Sequence, residues 1–304
     1  MAKLALMIEG QEGLTWETWR HLCEMTEELG FDSIWRSDHL FSVMDAYERD
    51  CIECWESLAL AAVWTKRVPF GPNVSPMTFR EPGVLAKMAA SVDVLSGGRL
   101  VLGLGAGWHE AEHEAFHVPF LTKKERFDRL ERSIEVIQEV WAKSNPKPVR
   151  DGRVPLLIGG GGEKRTLPLV ARHAALWSIG TMPPVEEYAH KVEVLEGYCR
   201  EIGRDPKSIR RGIQSAFVIA RDEAELRERA GALKTRLTRH SQRPLDEFIA
   251  ILKKNNFAGT AAEIAEKMRG YQAHGVDLWM LQHFVWDDDD TLRALISDLA
   301  PLIA

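Results

Sequence analysis

The chain has 304 residues, 45% of them hydrophobic, with 39 basic against 45 acidic side chains and a formal net charge of −6. That balance, spread without long blocks, leaves no electrostatic footprint for nucleic acid. No stretch approaches the roughly 18 apolar residues of a membrane span, and Met1–Gly10 lacks the basic flank and long apolar run of a signal peptide, so a cytoplasmic protein is expected. Cys23, Cys51, Cys54 and Cys199 suit a reducing compartment, and only Cys51-Ile-Glu-Cys54 has suggestive spacing, without the second pair or βαβ entrance that zinc or redox chemistry needs.

Lys3–Ile8 is a short apolar run predicting a strand, and Thr15–Leu29 has helical spacing, opened by Thr15 and Thr18 and closed by Gly30. Phe31–Arg36 returns to strand and runs into Ser37-Asp38-His39-Leu40. A loop over Phe41–Asp50, a helix over Glu53–Trp64, a third strand over Val68–Val74 and a helix over Pro82–Leu95 follow, with proline in that helix's first turn. Leu100–Gly105 is the fourth strand, leaving through Gly105-Ala106-Gly107-Trp108. Lys124–Trp141 repeats apolar residues every three or four positions and predicts a long helix. Val154–Ile158 is a fifth strand, Gly159–Gly162 a glycine turn and Glu163–His173 a helix. Ala174–Ile179, Gly212–Ala220 and Val276–Gln282 are the sixth to eighth strands, with helices over Val185–Ile202, Thr260–His274 and Thr291–Ile303.

Asp222–Phe257 is polar, helical in pattern and too long for an ordinary connection, so it reads as an inserted helical segment between strand 7 and its helix. Eight strand-then-helix units in 304 residues point to an α/β fold, a (β/α)8 TIM barrel forming one domain over 1–304; a two-domain doubly wound sheet is the alternative. In a barrel the site lies at the C-terminal strand ends. That rule collects Glu9-Gly10, Asp38-His39, Pro72-Asn73-Val74-Ser75, Gly105–Trp108, Gly159–Gly162, Ser178–Gly180 and Gln282-His283.

Val154–Thr166 is the most specific anion candidate, because a strand ending in four glycines leads into a helix whose free N–H groups and dipole favour negative charge. It lacks the Walker arrangement, so ATP is not its ligand. His39, beside Asp38 just past strand 2, has the chemistry of a proton shuttle near neutral pH. His109-Glu110-Ala111-Glu112-His113 matches HExxH, the pattern of a zinc protease. It falls in a βα loop with no substrate-binding edge strand nearby, and no metal is expected there.

Together these residues resemble the bacterial luciferase-like monooxygenase family, in its branch of oxidoreductases that use the deazaflavin coenzyme F-420. The resemblance rests on Leu29–Trp35 leading to Asp38-His39-Leu40, on Arg80-Glu81-Pro82 with Ala86-Lys87, and on Asp93–Arg99 leading to Gly103–Trp108. Glu125–Asp128, Pro155–Thr166 and Gly259-Thr260 extend it. It implies a (β/α)8 barrel with the deazaflavin, or alternatively FMN, on its C-terminal face. A bulge behind the ring falls at Asn73-Val74, where relatives often have a cis peptide. The resemblance implies cofactor contacts at Asp38, Asn73, Val74, Gly105, Ala106, Gly107, Gly160, Gly161, Gly162, Trp177 and Ser178, and gives His39 the role of general base or hydrogen-bond donor. The hydride chemistry would belong to the cofactor.

Two departures bear on substrate. Relatives that oxidise sugar phosphates carry a glutamate where this chain has Trp108, and many relatives have a carboxylate and an amide in the stretch that here reads Ala174-Ala175-Leu176-Trp177-Ser178. Arg36 and His283 are unusual polar additions at strand ends. The expectation is hydride transfer between reduced F-420 and a small organic substrate; a two-component monooxygenase using reduced FMN and O2, or a non-catalytic flavin-binding relative, is the alternative. A separate cofactor reductase and a second copy of the chain are the expected partners, the latter also because ten tryptophans exceed what one core needs.

Overall fold

In the computed structural model, which describes residues 3–180 and 182–304, the first strand is β1, Lys3–Ile8; the first two residues of the Met1–Gly10 stretch lie outside the described part. Its Leu4, Leu6 and Ile8 enter the layer between sheet and helices, while Ala5 and Met7 enter the interior with Trp35, Leu157, Leu176, Leu278 and Met280. Burial on both faces is why this strand reads as a nearly unbroken apolar run. The helix α1, Trp16–Leu29, starts where the Thr15 side chain accepts from the Thr18 N–H and stops at Gly30 with φ 80°.

The remaining elements follow in alternation: β2 Ser33–Arg36, α2 Cys54–Trp64, β3 Phe70–Pro72, β4 Ser75–Pro76, α3 Pro82–Ser96 and β5 Leu102–Gly105. Then come α4 Glu110–Ala115, α5 Lys123–Lys143, β6 Leu156–Gly159, α6 Thr166–His173, β7 Leu176–Ile179, α7 Val185–Glu201 and β8 Arg210–Ile219. The chain closes with α8 Glu223–Arg236, α9 Leu245–Asn255, β9 Phe257–Gly259, α10 Ala261–Gln272, β10 Leu278–His283 and α11 Asp289–Ala294, which continues through a π turn into α12 Ala300–Ile303.

All the strand pairs are parallel. β1 lies between β2 and β10, which joins the first and last strands and sets aside the doubly wound alternative. The predicted third strand is two pieces, β3 and β4, broken at Asn73-Val74, whose peptide is cis. β3 pairs with β2 and bridges Leu100, and β4 pairs with β5, so the sheet returns on itself as a nearly closed parallel barrel.

Between β8 and α10 the chain forms α8, a short 3-10 turn at Thr238–His240, and α9. Leu226, Ala230 and Leu233 of α8 pack with Phe248, Ile249 and Leu252 of α9 in a second apolar cluster that also takes Phe284 and Met44. Phe257 does not end the helical run: it opens β9, which extends β8 beyond the barrel. Of the ten tryptophans, Trp19, Trp35, Trp55, Trp141, Trp177, Trp279 and Trp286 are buried within this one chain. The tryptophan content therefore gives no ground for a partner.

Strand parity also disposes of Arg36 and His283. Both share the outward parity of Ile34 and Leu281 and lie between sheet and helices, outside the barrel interior. The Arg36 guanidinium donates to Ser57 Oγ at 3.1 Å and Ile52 O at 2.8 Å and covers the Trp19 ring. His283 packs on Phe217 with Nε2 unpartnered, and burial pushes its pKa down to about 4. A histidine held neutral in this way stabilises the fold above its unfolded value near 6.5, and that contribution is lost as pH falls from 6.5 to about 4. The loss is about 3 kcal/mol. Urea denaturation across that window is expected to show it, and His283→Gln is expected to flatten the acid limb.

Candidate active site

The barrel interior ends in a polar layer. Met7 pairs with Gln282 and Met280 with Gln214, so the inward parity that places two methionines in the core places two carboxamides at the C-terminal mouth. Glu9, two residues past Met7, completes the layer. Its Oε1 accepts from Gln214 Nε2 at 3.0 Å and Gln282 Nε2 at 2.6 Å, and its Oε2 accepts from Gln11 Nε2 at 3.0 Å. Asn73 Nδ2 donates to Gln214 Oε1 at 2.8 Å, and the Ser37 hydroxyl donates to Gln11 Oε1. The three carboxamide donors hold a carboxylate only 8% exposed. They also fix each amide's orientation by what it must donate to.

Above this layer lies a cavity of about 840 Å³ that His39 and Glu112 enter together. His39 Nδ1 sits 3.1 and 3.2 Å from the two Glu112 oxygens, and the Leu40 N–H donates to Glu112 Oε2 at 3.1 Å. Glu112 thus accepts the hydrogen bond of Nδ1–H and leaves Nε2 as the atom available to a ligand. Burial pushes the His39 pKa down, but the Glu112 hydrogen bond and the charges of Glu112, Glu9 and Asp38 outweigh it, and the net shift is upward. Asp38 also lines the cavity, yet both of its oxygens are engaged. Arg80 donates to Oδ1 at 2.5 Å and to Oδ2 at 3.1 Å, and Ser75 Oγ donates to Oδ2 at 2.5 Å. Asp38 therefore fixes the β2 end that carries His39 and leaves no free carboxylate for a ligand.

Asn73, Val74, Gly105, Ala106, Gly107, Gly160, Gly161 and Ser178 line the same cavity. Val74 projects into the barrel so closely that a Cβ on Gly105 would lie 2.4 Å from Val74 Cγ2, and one on Gly159 would lie 2.9 Å from Val74 Cγ1. Glycine at these strand ends is a consequence of that approach. Gly105→Ala is expected to push Val74 into the cavity and to cost about 1–3 kcal/mol by overpacking. Thermal denaturation measures the cost, and weaker binding of the cavity's ligand measures the displacement.

At the second glycine turn the Gly160 N–H donates to Ser178 O at 2.8 Å. Among the described residues no protein acceptor faces the N–H groups of Gly161 or Gly162, which precede α6. Gly162 lies just beyond the cavity lining, and Trp177 is outside it: its ring stacks on Tyr188 at 5.5 Å and its Nε1 donates to Gly160 O at 2.8 Å. Trp177 shapes the turn from behind, since its strand parity points it outward.

The HExxH stretch is divided in use. Only Glu110–Ala115 is helical, and His117 with φ 55° lies past its end. His113 Nδ1 donates to His109 O at 2.7 Å while its ring packs between Phe79 and Phe120, and His109 lies against Trp108. Glu112, the fourth residue of the motif, is the His39 partner that sequence reasoning did not single out. Gln214 was missed as well. Its signal was a polar residue at inward parity inside an apolar strand.

A family model described as luciferase-like monooxygenase matches residues 5–278. The chain is 31% identical over 198 residues to an F420-dependent glucose-6-phosphate dehydrogenase from Amycolatopsis mediterranei, covering 55% of this chain and 57% of the relative. It is 26% identical over 223 residues to a 5,10-methylenetetrahydromethanopterin reductase from Methanolobus tindarius, covering 69% and 64%. The chain thus spans between half and two thirds of each relative's length. Among solved structures it superposes on an F420-dependent secondary alcohol dehydrogenase with a TM-score of 0.81 at 16% identity, over 100% of this chain and 99% of the other, which is a likeness of fold. With 274 of its 304 residues under the family model, the chain belongs to the luciferase-like monooxygenase family.

Proposed function

We propose that the cavity binds the deazaflavin coenzyme F-420 and that the chain transfers hydride between the reduced coenzyme and a small organic substrate, with His39 exchanging the accompanying proton. The observation that carries this reading is the convergence of a Glu112-oriented His39 and an anion-ready glycine turn on one cavity. The residues fit the coenzyme. Unpartnered N–H groups at Gly161 and Gly162, at the entrance to α6, suit its phosphate. Asn73, Val74, Gly105, Ala106 and Gly107 would flank its ring, and the carboxamides around Glu9 offer donors to ring carbonyls. The relative named as F420-dependent supports the deazaflavin over FMN. We read residues 222–257 as an insertion into a single barrel domain, a reading supported by Arg239, which lines the cavity.

When bound, the reduced deazaflavin supplies the hydride. His39 does the rest of the chemistry. With Nδ1 held by Glu112, its imidazolium donates the Nε2 proton to the oxygen of a carbonyl substrate, and in the oxidative direction the neutral ring takes that proton back. Glu9, whose hydrogen-bond partners are neutral carboxamides, adds a negative field that favours the imidazolium.

Titration of the purified protein with F-420 and FMN, each oxidised and reduced, tests the reading. Saturable binding of F-420 with FMN at least tenfold weaker is expected. Preference for FMN would transfer the site to oxygen chemistry, and binding of neither would end the cofactor reading of both glycine turns.

A further inference from the structure

Hydride transfer leaves two features at the outer side of the cavity unused: an aromatic face that Trp108 carries from the lining out to Phe41 and Phe116 beyond it, and the lining residue Arg239. The first is aromatic. Trp108 is 59% exposed, stands edge-on to the His39 ring at 5.6 Å and tilts against His109 at 5.0 Å. Phe41 packs on His109 at 5.8 Å and stacks with Phe116, itself 48% exposed, at 5.9 Å. A contiguous aromatic face left in water beside a half-buried imidazole marks a ligand surface. Its side chains offer ring faces and edges for stacking.

The second feature is a cation without an acid. Lys191, the ammonium that lines the cavity, faces Glu163 at 3.4 Å and Glu187 at 3.3 Å. Arg239, the guanidinium that lines it, has no carboxylate within 4.0 Å among the described residues, and its hydrogen bond goes to the Val43 carbonyl. The remaining guanidinium N–H groups form a fork suited to a planar anion.

The charges give the cavity a direction. Glu9 and Glu112 are buried at the inner end, whereas Arg239 is exposed at the rim. An anionic group is repelled from the inner end and drawn to the rim. A neutral reducible group can then approach His39 only if the anion is at the other end of the molecule.

Resting on the active-site reading above, we propose that the substrate is an aryl carboxylate carrying a reducible carbonyl: its ring lies on Trp108 and Phe41, its carboxylate pairs with Arg239, and its carbonyl oxygen reaches His39. Trp108 and Arg239 are then specificity-determining residues. The step itself balances within the proposed function: the carbonyl carbon takes the hydride, its oxygen takes the His39 proton, and the reduced coenzyme is oxidised.

Calorimetric titration of the whole protein, without and with F-420, tests this with benzoate, 2-naphthoate and 4-biphenylcarboxylate, each against its neutral carboxamide. At least one carboxylate is expected to bind about tenfold more tightly than its amide, as one charge-assisted pair supplies. Arg239→Gln should abolish that preference, Arg239→Lys should keep part of it, and Trp108→Ala should weaken acid and amide alike. Equal binding of acid and amide, a preference that survives Arg239→Gln, or no binding by any probe would overturn the proposal. The preference is read without turnover, so it stands or falls separately from F-420 binding. A protein that selects the carboxylates and ignores F-420 would sink the deazaflavin and leave the ring and carboxylate sites in place.

Discussion

Replacing His39 by alanine is expected to lower the rate of hydride transfer by about 10²–10⁴-fold, the span general acid–base catalysis supplies. The dissociation constant for F-420 should change little, because in the proposed function His39 exchanges protons with the substrate while the glycine turn would hold the coenzyme's phosphate. Transient kinetics of reduced coenzyme with a carbonyl substrate separate the two quantities. The pH dependence carries a sign. Since the His39 pKa is raised, carbonyl reduction should hold its rate past the usual histidine value near 6.5 and fall as pH rises through the elevated one. The oxidative direction should rise over the same range. Glu112→Gln removes the largest upward contribution, so the limb should move to lower pH. An unmoved limb would mean that another group gives the proton.

The same dyad affects stability. A histidine with a raised folded pKa contributes stability that is complete below its unfolded value and lost as pH rises through the folded one. His283 acts in the opposite sense on the acid side.

Arg80→Ala is expected to destabilise the protein by about 3–5 kcal/mol, the cost of leaving a buried carboxylate without its partner. Asp38 has no exposed side-chain surface, and Arg80 holds both of its oxygens while also binding Glu53 at 2.5 Å. With the guanidinium gone, Ser75 Oγ is the remaining donor to Asp38 among the described residues. Urea denaturation measures the loss, and the double variant with Asp38→Asn should recover a large part of it, because the stranded charge is then absent. Recovery would also show the pair to be positional: it fixes the end of β2, from which His39 reaches Glu112.

Strand positions were legible in the sequence because parallel strands buried on both faces read as apolar runs, as Lys3–Ile8, Leu100–Gly105 and Gly212–Ala220 do. The third strand was legible as one element only. Its break at Asn73-Val74 depends on Val74 turning into the barrel against Gly105 and Gly159, contacts that join distant parts of the chain. For the site, strand-end position was enough to collect His39, Asn73 and the glycine turns, but not to see who holds them. Glu112 is 73 residues from His39, and its local spacing imitated a zinc motif. Asp38 looked free beside His39 because its partner Arg80 lies beyond two strands. Trp177 was assigned to the site from a resemblance, whereas its outward parity on β7 places it behind the turn.

The most direct measurement is turnover with reduced F-420 carrying deuterium at its hydride-bearing carbon, run against an aryl carbonyl substrate with and without oxygen. Deuterium at the new alcohol carbon, at a rate indifferent to oxygen and reduced at least a hundredfold in His39→Ala, is the expected result. Oxygen-dependent consumption of reduced FMN, with no label in the product, would contradict hydride transfer at this site.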